Sequence, residues 1–354
     1  MTEMKKMPDG TYDMSFDLLR IFCSFVIVLL HASAHVWYYL DVNGKEWLFA
    51  NACNAFTRFG VPVFVMISGA LFLSSKRAMN LKGFWLRNIL RIFIIYVLWC
   101  VIYGSVHYFS SSEAFALKPF LKSILAGNYH LWFLPMLLGI YALVPLLRKC
   151  VMVSTKNDHR YFLLLFFVFQ IVLTTLRLLS DTPEISSFLS GFTVEVACGY
   201  VGYFVLGHYL YSVKTYTKLD KVLLYATFPV FYALNVLLST VLSRKAGEPM
   251  QEIIDSFGIF TFFMAIAVFV FFTQTFHGLS QEGKAATVIK TISKSTLGIY
   301  LIHLLIMESP WILPMFQKLS PYASIPIVTV LTFVISLILA TILRKIPFLG
   351  RYVC

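Results

Sequence analysis

Long runs of apolar residues, separated by short polar segments, recur along the whole chain. About 20 consecutive apolar residues are enough for an α-helix to cross the ~30 Å hydrocarbon core of a bilayer. The pattern therefore predicts an all-α polytopic membrane protein, with about ten transmembrane helices packed in one bundle. The predicted spans cover residues 16–36, 48–73, 84–108, 129–147, 160–180, 187–211, 220–243, 255–276, 295–316 and 323–343.

Composition supports this class, and the distribution of charge indicates the orientation. Hydrophobic residues make up 59% of the chain and charged residues 13%, which is far from the usage of soluble globular proteins. Lys and Arg are about three times as frequent in one set of alternate loops as in the other, and retained positive charge marks cytoplasmic loops. Both termini are therefore predicted to be cytoplasmic. This distribution also explains the net charge of +12 without nucleic-acid binding.

No linker, second soluble domain or internal repeat is visible, so residues 1–354 are interpreted as one integral-membrane domain with a cytoplasmic segment at 1–15. The six cysteines show no CxxC or metal-ligand spacing, which argues against a disulfide framework and a zinc site. A cleaved signal peptide is the alternative for the first span, because residues 32–34 resemble a cleavage site. Asp17 and Arg20 would interrupt its apolar region, which disfavours that alternative.

Three polar residues stand out on the first predicted helix: Asp17, Arg20 and His31. Charged residues are costly inside a bilayer and usually serve a function there. The step from Arg20 to His31 is close to a whole number of helical turns, so both side chains lie on one face, ~16 Å apart. Asp17 is too far along the helix to orient His31, and we expect it to pair with Arg20.

Ionisable residues of several predicted spans fall at two depths in this topology. Depth along the helices gives an inner basic layer and an outer layer in which three side chains are expected to meet. The inner layer comprises Arg20, Arg87 and Arg91, and the outer layer comprises His31, Arg58 and Glu195. Within the inner layer, Arg87 and Arg91 are one turn apart on the same helix face.

The two layers suit the two ends of coenzyme A. Arginine binds phosphate through paired hydrogen bonds, and histidine transfers protons near neutral pH. In acetyl-CoA, the phosphorylated nucleotide and the thioester are joined by a flexible arm whose length is comparable with the distance from Arg20 to His31. Acetyl-CoA from the cytoplasm is therefore the expected co-substrate, and no metal is expected.

Four short blocks follow one another along the chain: Asp17-Leu-Leu-Arg20 followed by His31, the segment 58–69, His130-Leu-Trp132-Phe, and Ser295-Thr-Leu-Gly-Ile-Tyr300-Leu-Ile-His303. They resemble the first, second, fourth and ninth helices of the membrane acyltransferase 3 family, in the same order. The resemblance extends over essentially the whole chain. It is similar in particular to stand-alone members that O-acetylate cell-surface glycans such as the enterobacterial common antigen. Many relatives carry an additional periplasmic SGNH domain, which is not expected here.

This resemblance implies a multi-pass protein of the bacterial cytoplasmic membrane that transfers acetyl from acetyl-CoA to a hydroxyl of a cell-envelope glycan or lipid-linked sugar. His31 is then the catalytic residue, either as a general base or as the acceptor of the acetyl group, and both routes remain open. Arg58 is expected to stabilise the developing oxyanion, and Glu195 to orient the imidazole or balance the arginine. Ser68 joins the three inner arginines as a residue expected to bind CoA.

Four further residues are predicted to contact the acceptor sugar: His35, His130, Trp132 and His303. Each has a structural alternative. His35 forms a His-x3-His pair with His31, but no third metal ligand is apparent. Trp132 and His130 suit an aromatic belt at the membrane interface, and His303 suits helix packing. Acceptor specificity is expected in the loops around residues 38–47 and 110–129.

Structural alternatives also apply to the second and third spans. Arg87 and Arg91 equally suit the positive-inside bias and contact with lipid headgroups. Gly60, Pro62 and Gly69 are explained by a helix kink and by close helix packing alone.

Two other classes of function remain open. A secondary transporter of an anionic or sugar-like substrate would use Glu195, His31 and His303 as a proton relay, although no inverted repeat supports this class. A scaffold that hands lipid-linked glycan to a partner protein would need no histidine in the outer layer. The expected partners are acetyl-CoA, the glycan acceptor and membrane lipids, and a homo-oligomer is left open.

Overall fold

The computed structural model describes residues 13–75, 79–110, 115–179, 195–346 and 350, with side chains for all of these except 195–198 and 253. Every regular element within these ranges is helical, which confirms the predicted all-α class. Three of the helices, α4, α6 and α7, include a turn of π or 3-10 helix. The main helices are α1 Met14–Trp37, α2 Lys45–Thr57, α3 Gly60–Leu73, α4 Leu81–Ser110, α5 Leu117–Ala126, α6 Tyr129–Val153, α7 Lys156–Leu179, α8 Glu195–His208, α9 Lys218–Ala246, α10 Ile259–Thr275, α11 Lys284–Lys294, α12 Thr296–Met307 and α13 Pro321–Lys345.

Seven helical segments in the described ranges are long and apolar enough to cross a membrane. They are α1, α2 with α3, α4, α6, α7, α9 and α13, and each agrees with one of the ten predicted spans. An eighth is formed if α11 and α12, which meet at an angle of 59°, make one bent span. The count of ten and the sides of the two termini stay predictions.

Three predicted spans differ from the structure or fall partly outside it. The predicted span 255–276 contains a helix of 17 residues, α10. The predicted span 295–316 is too long, because α12 ends at Met307 and the following segment contains Pro310 and Pro314, which cannot continue a helix. The first part of the predicted span 187–211 lies outside the described residues.

The helix α11 occupies a segment that hydropathy alone assigns to a loop. Its lysines, Lys284, Lys290 and Lys294, alternate with apolar residues at helical spacing, so that no continuous apolar run marks it. Ser295 separates it from α12 at the bend. The bend directs α12 into the bundle, where it packs against α1 and α13.

Two glycines allow α3 and α8 to cross in direct backbone contact. A Cβ atom added to Gly69 would lie 1.7 Å from the carbonyl oxygen of Phe204, and one added to Gly207 would lie 2.0 Å from the carbonyl oxygen of Met66. Small residues let membrane helices approach this closely, so that main-chain and side-chain atoms of both helices pack. The close packing expected of Gly69 is confirmed.

A buried polar network joins α1, α2 and α9. Asn51 accepts a hydrogen bond from Nε1 of Trp37 at 3.0 Å, and its own amide nitrogen donates to Ser239 at 2.9 Å and Thr240 at 3.1 Å. These groups are removed from water, so the network satisfies side chains that would otherwise be buried without partners.

Replacing Asn51 by alanine is expected to lower the free energy of unfolding by about 1–3 kcal/mol, because Nε1 of Trp37 is left without an acceptor. The measurement is thermal or denaturant unfolding of the purified protein in detergent. Asn43→Ala is the matched control, since Asn43 is exposed and bonds only to Asp41 in the described residues. Equal unfolding curves for the two variants would contradict a structural role for the network.

Candidate active site

A cavity of ≈ 990 Å³ lies within the helix bundle, with one face of α1 lining it from Arg20 to Tyr38, a length of ~27 Å along the helix. Nine of the eleven predicted site residues line this cavity: Arg20, His31, His35, Arg58, Ser68, Arg87, Arg91, His130 and Trp132. His303 lies beside the cavity, and the side chain of Glu195 is outside the described part of the chain. The roles assigned to these residues stay predictions.

At one end of the cavity lie Arg20, Arg87 and Arg91, which we call the arginine end. Nη1 of Arg20 contacts Oδ1 of Asp17 at 3.4 Å, so the predicted pair is confirmed. Ser293 of α11 donates to the same carboxylate oxygen at 2.6 Å. Asp17 is buried, so this pair and the serine hold the guanidinium group of Arg20, a residue that lines the cavity, in place.

A π-helical turn at Trp85–Ile89 shapes the other side of the arginine end. It is closed by a hydrogen bond from the N–H of Leu90 to the carbonyl oxygen of Trp85. A π turn inserts an extra residue into the helix and is frequent at functional sites. Arg87, Asn88 and Arg91 all line the cavity, and the sequence carried no signal for Asn88.

At the other end, three imidazole rings from α1, α6 and α12 form the histidine end, which we define as His31, His130 and His303. The ring centroids are 5.0 Å apart for His31 and His303, 5.3 Å for His130 and His303, and 6.5 Å for His31 and His130. The hydroxyl of Tyr129 lies 3.2 Å from Nδ1 of His31. A hydroxyl group can therefore occupy hydrogen-bonding distance from this imidazole.

Hydrogen bonds to Nδ1 of two rings decide which ring nitrogen carries the proton. Nδ1 of His303 lies 2.6 Å from the carbonyl oxygen of Tyr300, and Nδ1 of His130 lies 2.9 Å from Oδ1 of Asn128. Both oxygens only accept, so each Nδ1 is the donor and each Nε2 of the neutral ring is an acceptor. In the described part of the protein, both Nε2 atoms are buried without a hydrogen-bond partner.

Arg58 lies where α2 gives way to α3, and its Nε donates to Oδ1 of Asn54 at 2.8 Å. Pro62 has no N–H to bond the carbonyl group four residues earlier, which explains the change of helix at this point. The helix is interrupted at residues 58–59, directly before Gly60, and the kink itself stays a prediction. Arg58 and His31 line the same cavity, as predicted for the outer layer.

Other predicted residues lie along the cavity between or beyond these groups. The ring of His35 packs on Phe316 with centroids 4.3 Å apart, and Trp132 contacts Tyr200 at 5.7 Å. Ser68 donates to the carbonyl oxygen of Phe64, within its own helix.

Sequence reasoning missed the two carboxylates of the cavity lining, Asp255 and Glu308. The loops predicted to contact the acceptor do contribute Tyr38 and Tyr129, but residues 251–257 and the end of α12 line the cavity as well. A signal existed: Glu308 is an ionisable residue inside the predicted span 295–316, which is by default a candidate for function.

The histidine end is not arranged as a metal site. Within the described ranges, no group of three or more His, Cys, Asp or Glu side chains has an arrangement that would hold a metal ion. The cavity thus combines three guanidinium groups at one end with an imidazole and hydrogen-bond acceptors at the other.

Comparison with known proteins identifies the family. The model of the acyltransferase 3 family, described as an acyltransferase domain, matches residues 14–345. No curated protein and no solved structure matches the chain. The match covers every helix that lines the cavity and extends to the end of α13. The chain therefore belongs to the acyltransferase 3 family.

Proposed function

We propose that this protein is an O-acyltransferase of the bacterial cytoplasmic membrane, which transfers acetyl from acetyl-CoA to a hydroxyl of a cell-envelope glycan or lipid-linked sugar. Acetyl-CoA enters from the cytoplasm and the acceptor from the opposite side. Stand-alone members of the family that acetylate cell-surface glycans, such as the enterobacterial common antigen, supply the precedent for this acceptor class.

The observation that carries the proposal is the single cavity that joins the arginine end to His31. Arg20, Arg87 and Arg91 suit the phosphates of CoA, because guanidinium groups bind phosphate oxygens in pairs. The distance of ~16 Å between Arg20 and His31 on one face of α1 leaves room for the extended pantetheine arm. A ligand with phosphates at one end and a thioester at the other can contact the arginine end and His31 at the same time.

In the proposed reaction, His31 takes the proton of the acceptor hydroxyl as its oxygen attacks the thioester carbonyl. The oxygen–acyl bond forms, the carbon–sulfur bond breaks, and His31 returns the proton to the departing sulfur. Arg58 stabilises the negative charge that develops on the thioester oxygen. The position of His31 in the cavity lining supports this route, because the acceptor hydroxyl must reach its imidazole.

The test is incubation of the purified protein with acetyl-CoA labelled in the acetyl group and with envelope glycan. Label in alkali-labile ester linkage on the glycan, with an equal amount of free CoA, is the expected result. No CoA release, together with uptake of an anionic or sugar-like solute into vesicles that contain the protein, would overturn this proposal in favour of a transporter.

In the same assay, replacing Arg87 and Arg91 together by glutamine is expected to raise the KM for acetyl-CoA about tenfold or more, since each charged hydrogen bond is worth ~1.5–3 kcal/mol. The KM should also lose much of its dependence on salt. Lys82→Gln is the control: Lys82 is an exposed cation on the same helix and does not line the cavity. An unchanged KM for the double variant would contradict CoA binding by these two arginines. Their contribution to the positive-inside bias would then be the role that remains.

A further inference from the structure

The ion pair of Asp17 and Arg20 is longer than a hydrogen bond between charged groups normally is. Nη1 of Arg20 lies 3.4 Å from Oδ1 of Asp17, whereas charged N–H groups usually approach a carboxylate to about 2.7–2.9 Å. Among the described residues, this contact is the only hydrogen bond of the guanidinium group. Its other N–H donors therefore remain available to a ligand in the cavity that Arg20 lines.

Ser293 is the closer partner of the same carboxylate. Its Oγ donates to Oδ1 of Asp17 at 2.6 Å, and both residues are buried, with 5% of Ser293 and 3% of Asp17 exposed. The other carboxylate oxygen, Oδ2, is buried and has no hydrogen-bond partner among the described residues. A buried carboxylate depends on each hydrogen bond that it accepts, because it has lost its hydration. Ser293 thus makes the shorter of the two hydrogen bonds to Asp17 in the described part of the chain.

The last turn of α11 and the start of α12 hold Ser293 in this position. Nη1 of Arg344, on α13, donates to the carbonyl oxygen of Thr291 at 3.3 Å and to Oγ of Ser295 at 3.0 Å. Thr296 donates to the carbonyl oxygen of Ser293 itself at 2.8 Å. These contacts fix the main chain on both sides of Ser293, so its hydroxyl group is held against α1.

We propose that Ser293 is a positioning residue for acetyl-CoA. Its hydrogen bond to Asp17 keeps the carboxylate from pairing more closely with Arg20, so that Arg20 is free to bind a phosphate group of CoA. Ser293 does not line the cavity and acts only through these two side chains. This inference rests on the proposed acyltransferase function and adds a residue to its donor site.

The physical reason is competition for one set of N–H donors. Guanidinium groups bind carboxylates and phosphates through the same paired hydrogen bonds. Without the hydroxyl group of Ser293, Arg20 is the only donor left to the buried Asp17 among the described residues. A buried anion attracts its remaining counter-charge strongly, because little water screens the pair. Arg20 would then pair more closely with Asp17 and offer fewer N–H groups to a phosphate.

The first test is Ser293→Ala in the purified protein, with KM and kcat for acetyl-CoA measured from CoA release in the presence of envelope glycan. We expect the KM to rise about tenfold, as for loss of one hydrogen bond between charged groups, and kcat to stay unchanged. Ser24→Ala is the control and should change neither value. Ser24 is buried on α1 and donates to the main-chain carbonyl of Arg20, not to its ion pair. An unchanged KM for Ser293→Ala would overturn the proposal.

The second test compares acetyl-CoA with S-acetylpantetheine, a donor that has the same thioester arm but no phosphate. Ser293→Ala should lower kcat/KM about tenfold for acetyl-CoA and leave kcat/KM for S-acetylpantetheine unchanged. An equal loss with both donors would show general damage to the bundle and overturn a role in phosphate binding.

The third test separates competition by Asp17 from simple support of Arg20. In Asp17→Asn no carboxylate competes for the guanidinium group, so adding Ser293→Ala should no longer change the KM for acetyl-CoA. The same rise in KM with and without the carboxylate would overturn the competition. Melting curves of each variant show whether it is folded, and the first two tests retain Asp17 and do not depend on this variant.

Binding of CoA alone, measured by calorimetry without an acceptor, distinguishes failure of this inference from failure of the proposed function. Binding with equal Kd values for the unmodified protein and Ser293→Ala would overturn only the role of Ser293. If the unmodified protein neither binds CoA nor releases it from acetyl-CoA, the acyltransferase proposal is overturned and this inference with it.

Discussion

Replacing His31 by alanine is expected to lower kcat for acetyl transfer about 10²–10⁴-fold, the range that general acid–base catalysis contributes. His31 lies ~16 Å along α1 from Arg20 of the arginine end, so the KM for acetyl-CoA should change little. The rate is measured as CoA released in the presence of envelope glycan, at saturating acetyl-CoA.

Ser33→Ala is the matched control for His31→Ala. Ser33 is on the same helix, is buried, bonds to the carbonyl oxygen of Leu30 and does not line the cavity. Its substitution should leave kcat unchanged. A normal rate for His31→Ala would contradict a catalytic role, and labelled acetyl trapped on His31 in rapid-quench experiments would contradict the general-base route in favour of an acyl-enzyme.

The second large effect is expected at the crossing of α3 and α8. Gly207→Leu should prevent formation of the folded protein, because the new side chain would begin 2.0 Å from the main-chain carbonyl of Met66. Gly207→Ala meets the same backbone with its Cβ and is expected to destabilise the protein by about 1–3 kcal/mol. The measurements are the yield of monodisperse protein in detergent and its unfolding temperature.

Gly139 provides the control for these substitutions. It lies in α6, is exposed, and an added Cβ would meet nothing within 4 Å. Gly139→Leu should therefore give a normal yield and melting temperature. A stable Gly207→Leu variant would mean that α3 and α8 can separate, and that the close crossing does not hold the bundle together.

Much of the fold follows from hydropathy, because a bilayer imposes the length of each apolar helix. Hydropathy does not predict helices that are only partly apolar, or the exact residue at which an apolar helix ends. The amphipathic α11 and the end of α12 at Met307 depend on a helical spacing of lysines and on two prolines rather than on mean apolarity. The division of α2 from α3 was foreseen only as a kink at Gly60 and Pro62.

The site residues that could be predicted from the sequence are ionisable residues within apolar helices, where they are costly. Arg20 and His31 are identified by their cost in an apolar helix and by their common face, and both line the cavity. Asp255 and Asn88 lie within five residues of the start of a predicted span, where polar residues are ordinary, and therefore give a weaker signal. The tautomer of His130 depends on Asn128 and on the 3-10 turn that presents both, which a linear pattern does not reveal.

The face of α1 that lines the cavity also has a mechanical consequence. Because Arg20 and His31 belong to one continuous α-helix, the spacing between them is set by the rise of that helix and not by how neighbouring helices are arranged. Rocking of α4, α6 or α12 could admit or release ligands, yet it would leave this spacing unchanged. The helix α1 therefore fixes the distance between the two residues proposed to contact the two ends of acetyl-CoA. Insertion of a single residue between Arg20 and His31 would rotate one side chain relative to the other by about 100° around the helix axis.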